Sequence, residues 1–207
     1  GFINITLKQK TWSDCIKKIL LDPDNWDKQD LGKGKRINLE YISANPTGPL
    51  HAGHARGAVF GDALASLLNE VGYKVIREYY INDAGSQIEK LVESSLLRYD
   101  ECNGKNIKDI PEGLYPGEYL QEVGKALLKK YGKNLKQNSK EDIFKLVREV
   151  SLEVIMRMIK EDLYKLGIEM DVFTSEHSII SGNLLTDILT ILEEKNLTYY
   201  GSLDPPK

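Results

Sequence analysis

The 207 residues are 41% hydrophobic, enough for a buried core, and acids exceed bases by only three, a balance that argues neither for nor against a polyanionic partner. There is no apolar run of about 18 residues and no signal-peptide order at the start, so neither a spanning helix nor a secretory leader is expected. Cys15 and Cys102 lack CxxC spacing and read as reduced structural thiols, so the expectation is a soluble, cytoplasmic protein without a disulfide framework.

Gly1 to Ile5 opens within a strand-like alternation and Asp204 to Lys207 stops in a linker-like turn, so the chain is expected to be an expressed fragment. Residues 11–21 form a predicted helix that Asp22-Pro23-Asp24 ends. Gly32-Lys33-Gly34-Lys35 is a basic link; it lacks GxxxxGK[ST] and precedes its strand, so it is not a phosphate loop. Residues 36–43 alternate as a strand, and Asn45-Pro46-Thr47-Gly48-Pro49 breaks it. Residues 52–71, with alanine and leucine on nearly every face, predict a helix buried against a sheet, with Gly72 as its cap.

A second strand follows at 73–81, with an exit turn at Asn82-Asp83-Ala84-Gly85 and a helix over 86–98 that lines up Ile88, Leu91, Val92, Ser95 and Leu96. Strand, helix, strand at this spacing implies a parallel sheet with ligands outside the carboxyl ends of its strands. The loops 44–51 and 82–85 therefore share one edge. Between 99 and 167 polar turns precede helices at 118–131 and 141–166, which reads as a helical insertion. Strand character returns at 168–174, a helix spans 179–195, and a short strand is expected at 197–200.

The informative stretch is Ser43-Ala44-Asn45-Pro46-Thr47-Gly48-Pro49-Leu50-His51-Ala52-Gly53-His54, a strand exit that runs into a helix start. The free N–H groups and positive end of that helix suit a triphosphate. His51 and His54, three apart, can donate to phosphate oxygens as charge builds, and Gly53 leaves a flat surface for adenine or ribose. The residues alone leave a capping or core role open for both histidines. Gly57 and Gly61 suggest tight helix-on-sheet packing. Zinc is discounted, since no third ligand or HExxH accompanies the pair.

HxGH after a first strand is the signature of class I aminoacyl-tRNA synthetases and related nucleotidylyltransferases, and SANPTGPLHAGHARGAVFGDALA resembles the arginyl-tRNA synthetase version. YYINDAGSQI and FTSEHS, at 173–178, resemble the same family's later strand exits. The resemblance implies an α/β, Rossmann-like (HUP-type) parallel-sheet nucleotide-binding half-domain with a mostly helical insertion. Its expected division is 1–31 as the tail of an N-terminal domain, 32–98 and 168–207 as catalytic domain, and 99–167 as insertion.

It further implies His51 and His54 as catalytic residues, with Pro49, His51, Gly53 and His54 at ATP. Asn45, Glu176, Ser43, Asn82, Asp83 and Gln87 would bind arginine, although an Asx turn for Asn45 and a helix cap for Ser175-Glu176 remain open on the residues. Tyr79 and Tyr80 are core or pocket wall. The implied partners are arginine, ATP with Mg2+ and tRNA(Arg), with no tightly bound cofactor, no membrane and a monomeric state. Gly48 stands where some members carry a compensating lysine, so an intact KMSK lysine is expected in the whole protein, and the fragment alone is expected to be inactive.

Two rivals remain on the sequence: a small-molecule nucleotidylyltransferase, and an RNA-binding module using Lys125, Lys129, Lys130, Lys133, Lys136, Lys140, Lys145 and Arg148.

Overall fold

The computed structural model describes residues 2–26, 29–199 and 201–202. Its elements run α1 (Gln9–Leu21), β1 (Arg36–Glu40), α2 (Ala52–Glu70), β2 (Lys74–Ile81), α3 (Ser86–Cys102), α4 (Leu120–Tyr131), α5 (Lys140–Lys165), β3 (Val172–Ser175), α6 (Glu176–Ser181) and α7 (Leu184–Glu194), with a 3₁₀ turn at Gly132–Gln137. The strands form one parallel sheet in the order β1-β2-β3, with Arg36 opposite Lys74 and Glu78 opposite Val172. All three strand exits therefore lie along one edge, as the βαβ reading requires.

The strand β1 is shorter than expected. Ile42 and Ser43 take left-handed backbone angles (φ 70° and 39°), which turns the chain out of the sheet. The ladder continues by substitution: the Ser43 hydroxyl accepts from the Tyr80 N–H at 3.0 Å. β3 likewise starts only at Val172, preceded by a single ladder bond from the Asp171 N–H to the Arg77 carbonyl. The helix expected over 179–195 is two helices, split at Gly182-Asn183, and the strand expected at 197–200 does not form over Leu197 to Tyr199, Tyr200 lying outside the described residues.

On β1, Ile37 and Leu39 face inward while Asn38 and Glu40 are exposed. A strand covered on both faces would not alternate this way. Helix α2 packs against the sheet, as expected, but through a narrow stripe of small residues, Ala58, Gly61 and Ala65. At Gly61 a Cβ would lie 2.3 Å from the Tyr41 ring, so close packing there is real, whereas at Gly57 a Cβ would meet nothing, which corrects the packing role expected for it.

The helical region is denser. Helix α5 starts at a Ser139 cap that accepts from the Asp142 N–H, and buries Val147, Val150, Val154, Ile155, Ile159 and Leu163 along one face at 3.6 periodicity. Helices α3 and α4 approach at Gly124, where a Cβ would lie 2.6 Å from the Arg98 carbonyl. A buried Ser151–Ser95 hydrogen bond joins α5 to α3. The expected border between 98 and 99 falls inside α3. No helix among the described residues is long and apolar enough to cross a membrane.

Candidate functional site

The loop from β1 to α2 is held from several sides. Pro46 is fully buried, the Tyr79 hydroxyl donates to the Ala44 carbonyl at 2.9 Å, and the Tyr119 hydroxyl donates to the Thr47 carbonyl at 2.7 Å. Burial pushes the Tyr79 phenol up to about 12, so it stays a donor throughout the ordinary pH range. Tyr79 is thus core that also shapes the site. Asn45, exposed at the loop tip, donates its Nδ2 to Gln87 Oε1 at 2.8 Å, which leaves its own Oδ1 oriented and available.

His51 is the N-cap of α2, and His54 is three residues on. The Nδ1 of His51 accepts from the Gly53 N–H at 3.1 Å, and the Nδ1 of His54 accepts from the His51 N–H at 3.4 Å, so the two form a reciprocal capping box. The rings stack with centroids 3.7 Å apart. An Nδ1 that accepts must be unprotonated, which puts the ring hydrogen of each neutral histidine on Nε2. Burial, and then the neighbouring His51, hold the His54 pKa below its ordinary value, which favours its uncharged ring. Capping and an outward Nε2–H donor are the same geometry here, not alternatives.

At the second and third exits the centre is Asp83, 7% exposed. Its Oδ1 accepts from the His177 N–H at 2.9 Å, the Ser175 hydroxyl lies 3.0 and 2.9 Å from its two oxygens, and Arg148 Nη2 donates to its Oδ2 at 3.2 Å and to its backbone carbonyl at 2.9 Å. Both carboxylate oxygens are therefore already engaged. Helix α3 has Gly85 as its N-cap, with no side-chain cap. Ser175 caps α6 by accepting from the Ser178 N–H at 3.2 Å, and Glu176, half-buried in the first turn, makes no hydrogen bond or ion pair among the described residues. Asn82 is exposed at the same edge.

A cavity of about 380 Å³ lies here, lined by Asp83, Gly85, Phe144, Lys145, Arg148 and His177 among others. A larger one, about 740 Å³, is lined by α5 residues alone, including Met156, Lys160 and Tyr164, and touches none of these groups. No group of three or more His, Cys, Asp or Glu among the described residues could hold a metal ion.

The family of class I tRNA synthetases (R), catalytic domain, matches residues 15–201. The chain belongs to the catalytic-domain family of class I arginyl-tRNA synthetases. An arginine–tRNA ligase of Ehrlichia chaffeensis is 51% identical over all of the chain and 36% of its own length; that of Nitrobacter winogradskyi is 49% identical over all of the chain and 35% of its length. The crystal structure of an arginyl-tRNA synthetase from Campylobacter jejuni superimposes with a TM-score of 0.80 at 36% identity, over 94% of this chain and 42% of that one. The chain thus spans a little over a third of these arginine–tRNA ligases.

Against the family's signature loop, the structure brings Asn45 to Gln87, Ser43 to Tyr80, His51 to His54 and Asp83 to Ser175. Sequence reasoning missed Tyr119 and Arg148 as residues that hold these strand exits. Arg148 had been counted in the basic run, which is not a uniform free face: Lys125 pairs with Glu122, Lys136 with Asp100, and Arg148 with Asp83.

Proposed function

We propose that this region activates arginine with ATP as the catalytic half-site of an arginine–tRNA ligase. The observation that carries the reading is the neutral, stacked His51–His54 capping box at the start of α2. With each Nδ1 committed to a backbone N–H, each Nε2–H is left as a donor at the positive end of the helix. ATP is placed with its phosphates at that helix end and its adenine or ribose over Gly53, with Pro49 as the adjoining wall. A carboxylate oxygen of arginine attacks the α-phosphorus, the bond to the bridging oxygen breaks, and pyrophosphate leaves; the Nε2–H donors stabilise the growing phosphate charge. Neither histidine acts as nucleophile or base. Magnesium arrives with ATP as part of the substrate, and no step runs through a metal held by the described residues. The arginyl group then passes to the terminal ribose hydroxyl of tRNA(Arg), with release of AMP.

Arginine is placed with its guanidinium at Glu176 and Asn45. Glu176 offers a carboxylate with no internal partner, and Asn45 offers an Oδ1 fixed by Gln87. A planar five-donor cation satisfies both at once, and a lysine ammonium does so less well. Asn82 and Ser43 lie at the same strand exits. The division into a catalytic domain and a helical insertion, and a cytoplasmic location, belong to the same proposal.

The test is calorimetric titration of the whole protein with non-hydrolysable arginyl-adenylate and lysyl-adenylate analogues. Selective arginyl binding is expected, weakened about a hundredfold by Glu176→Ala, the worth of a charge-assisted pair. Equal affinity for the two analogues would reduce the site to a generic nucleotide pocket and overturn the reading.

A further inference from the structure

We propose that Arg148 is a positioning residue for the amino-acid subsite: from helix α5 it fixes Asp83, and Asp83 in turn fixes the backbone on both sides of Glu176. This deepens the proposed function and rests on Glu176 as the guanidinium ligand.

Glu176 has no side-chain partner of its own, so its placement is set by its backbone. Its two neighbours are both tied to one carboxylate, Ser175 through its hydroxyl at 2.9 and 3.0 Å and His177 through its N–H at 2.9 Å. Removing that carboxylate would release both flanks together. Asp83 is itself held by Arg148 at two points, the side-chain Oδ2 and the backbone carbonyl, and the side chains are only 17% and 10% exposed. A buried, charge-assisted contact of this kind resists solvent competition, whereas loss of one partner leaves the other charge unsatisfied.

The geometry also explains why the contact comes from the helical region. Asp83 follows β2 and Ser175 ends β3, two adjacent parallel strands whose exits have no ladder bond beyond the pair of Ile81 with Ser175. The Asp83 carboxylate replaces the missing ladder across that gap. Arg148, 65 residues on, supplies the counter-charge from outside the sheet. Helix α5 therefore reaches the amino-acid subsite through a chain of three contacts, without touching substrate.

Steady-state aminoacylation by the whole protein separates this from a merely structural role. Arg148→Met is expected to raise the KM for arginine about tenfold or more, the usual scale for groups that orient a ligand-contacting side chain, with the KM for ATP and kcat within about twofold. Arg148→Lys should recover much of the loss, and Arg157→Ala, an exposed pair on the same helix, should change nothing. Glu176→Gln is the reference. If it raises the arginine KM while Arg148→Met does not, the positioning role falls alone. If neither raises it, the guanidinium site falls and the positioning role with it. Equal increases in the KM values for arginine and ATP would mean general loosening and would also overturn the proposal. Should Arg148→Met fail to fold, Arg148→Gln and Asp83→Asn decide by the same criterion.

Discussion

The helical region α3–α5 and the sheet with α2 solve the burial problem in different ways. In the first, Leu91, Leu127, Leu135, Ile155 and Ile159 are fully enclosed, and the helices supply one another's apolar partners. In the second, α2 buries alanines and a glycine while Val59, Phe60 and Leu67 are 56%, 70% and 65% exposed, and α7 leaves Leu184, Leu185, Ile188 and Leu189 similarly open. The helical region supplies most of a core that Tyr41, Ala44, Ala58 and Tyr79 join from the sheet side. The sheet edge that carries the site is instead held by directed polar contacts, two of which, from Tyr119 and Arg148, come out of the helical region. A site can thus be ordered by hydrogen bonds from a neighbouring region that packs more densely.

The largest expected effect lies in the enclosed region. Leu127→Ala should lower the unfolding free energy by about 3 kcal/mol, the sum of lost transfer and residual cavity, while Val59→Ala on α2 should stay within about 0.5 kcal/mol. Chemical denaturation of both variants checks this, and equal losses would break the contrast. Within α2, substitutions at Gly57 and Gly61 should move stability in opposite directions. Gly61→Ala drives a methyl into the Tyr41 ring and should cost about 1–3 kcal/mol, whereas Gly57→Ala meets open space and should gain about 0.5–1 kcal/mol from reduced unfolded-state entropy and helix propensity.

The smallest effect is the pH response of the capping box. The His54 pKa in the fold lies below the ordinary 6.5, so as pH falls the unfolded chain takes up its proton first. The stabilisation is present above 6.5 and is lost as pH falls from there through the folded value. Thermal melts between about pH 7.5 and 5.5 should show this slope, and His54→Asn should flatten it.

Much of this was legible in the sequence. Periodicity located α2 to α5 and all three strands, because alternation and a 3.6-residue stripe report burial directly. What periodicity could not reveal was where a strand stops for conformational reasons: nothing in Ile42-Ser43 signals left-handed backbone, and the Gly182-Asn183 break was present but was overridden by a continuous apolar run. In the site, the HxGH loop announced itself through its residue types. The Asp83–Arg148 contact did not, because a partner 65 residues away within a lysine-rich stretch looks like solvated charge until the fold pairs it.

The hydrogen bond from Tyr119 to the Thr47 carbonyl also has a meaning in time. The two residues are 72 apart, and ribosomes add about 5–20 residues per second, so Thr47 is synthesised roughly 4–15 seconds before its latch exists. During that interval the β1 exit lacks the contact that fixes it. The loop between β1 and α2 is thus made well before the contact that fixes it.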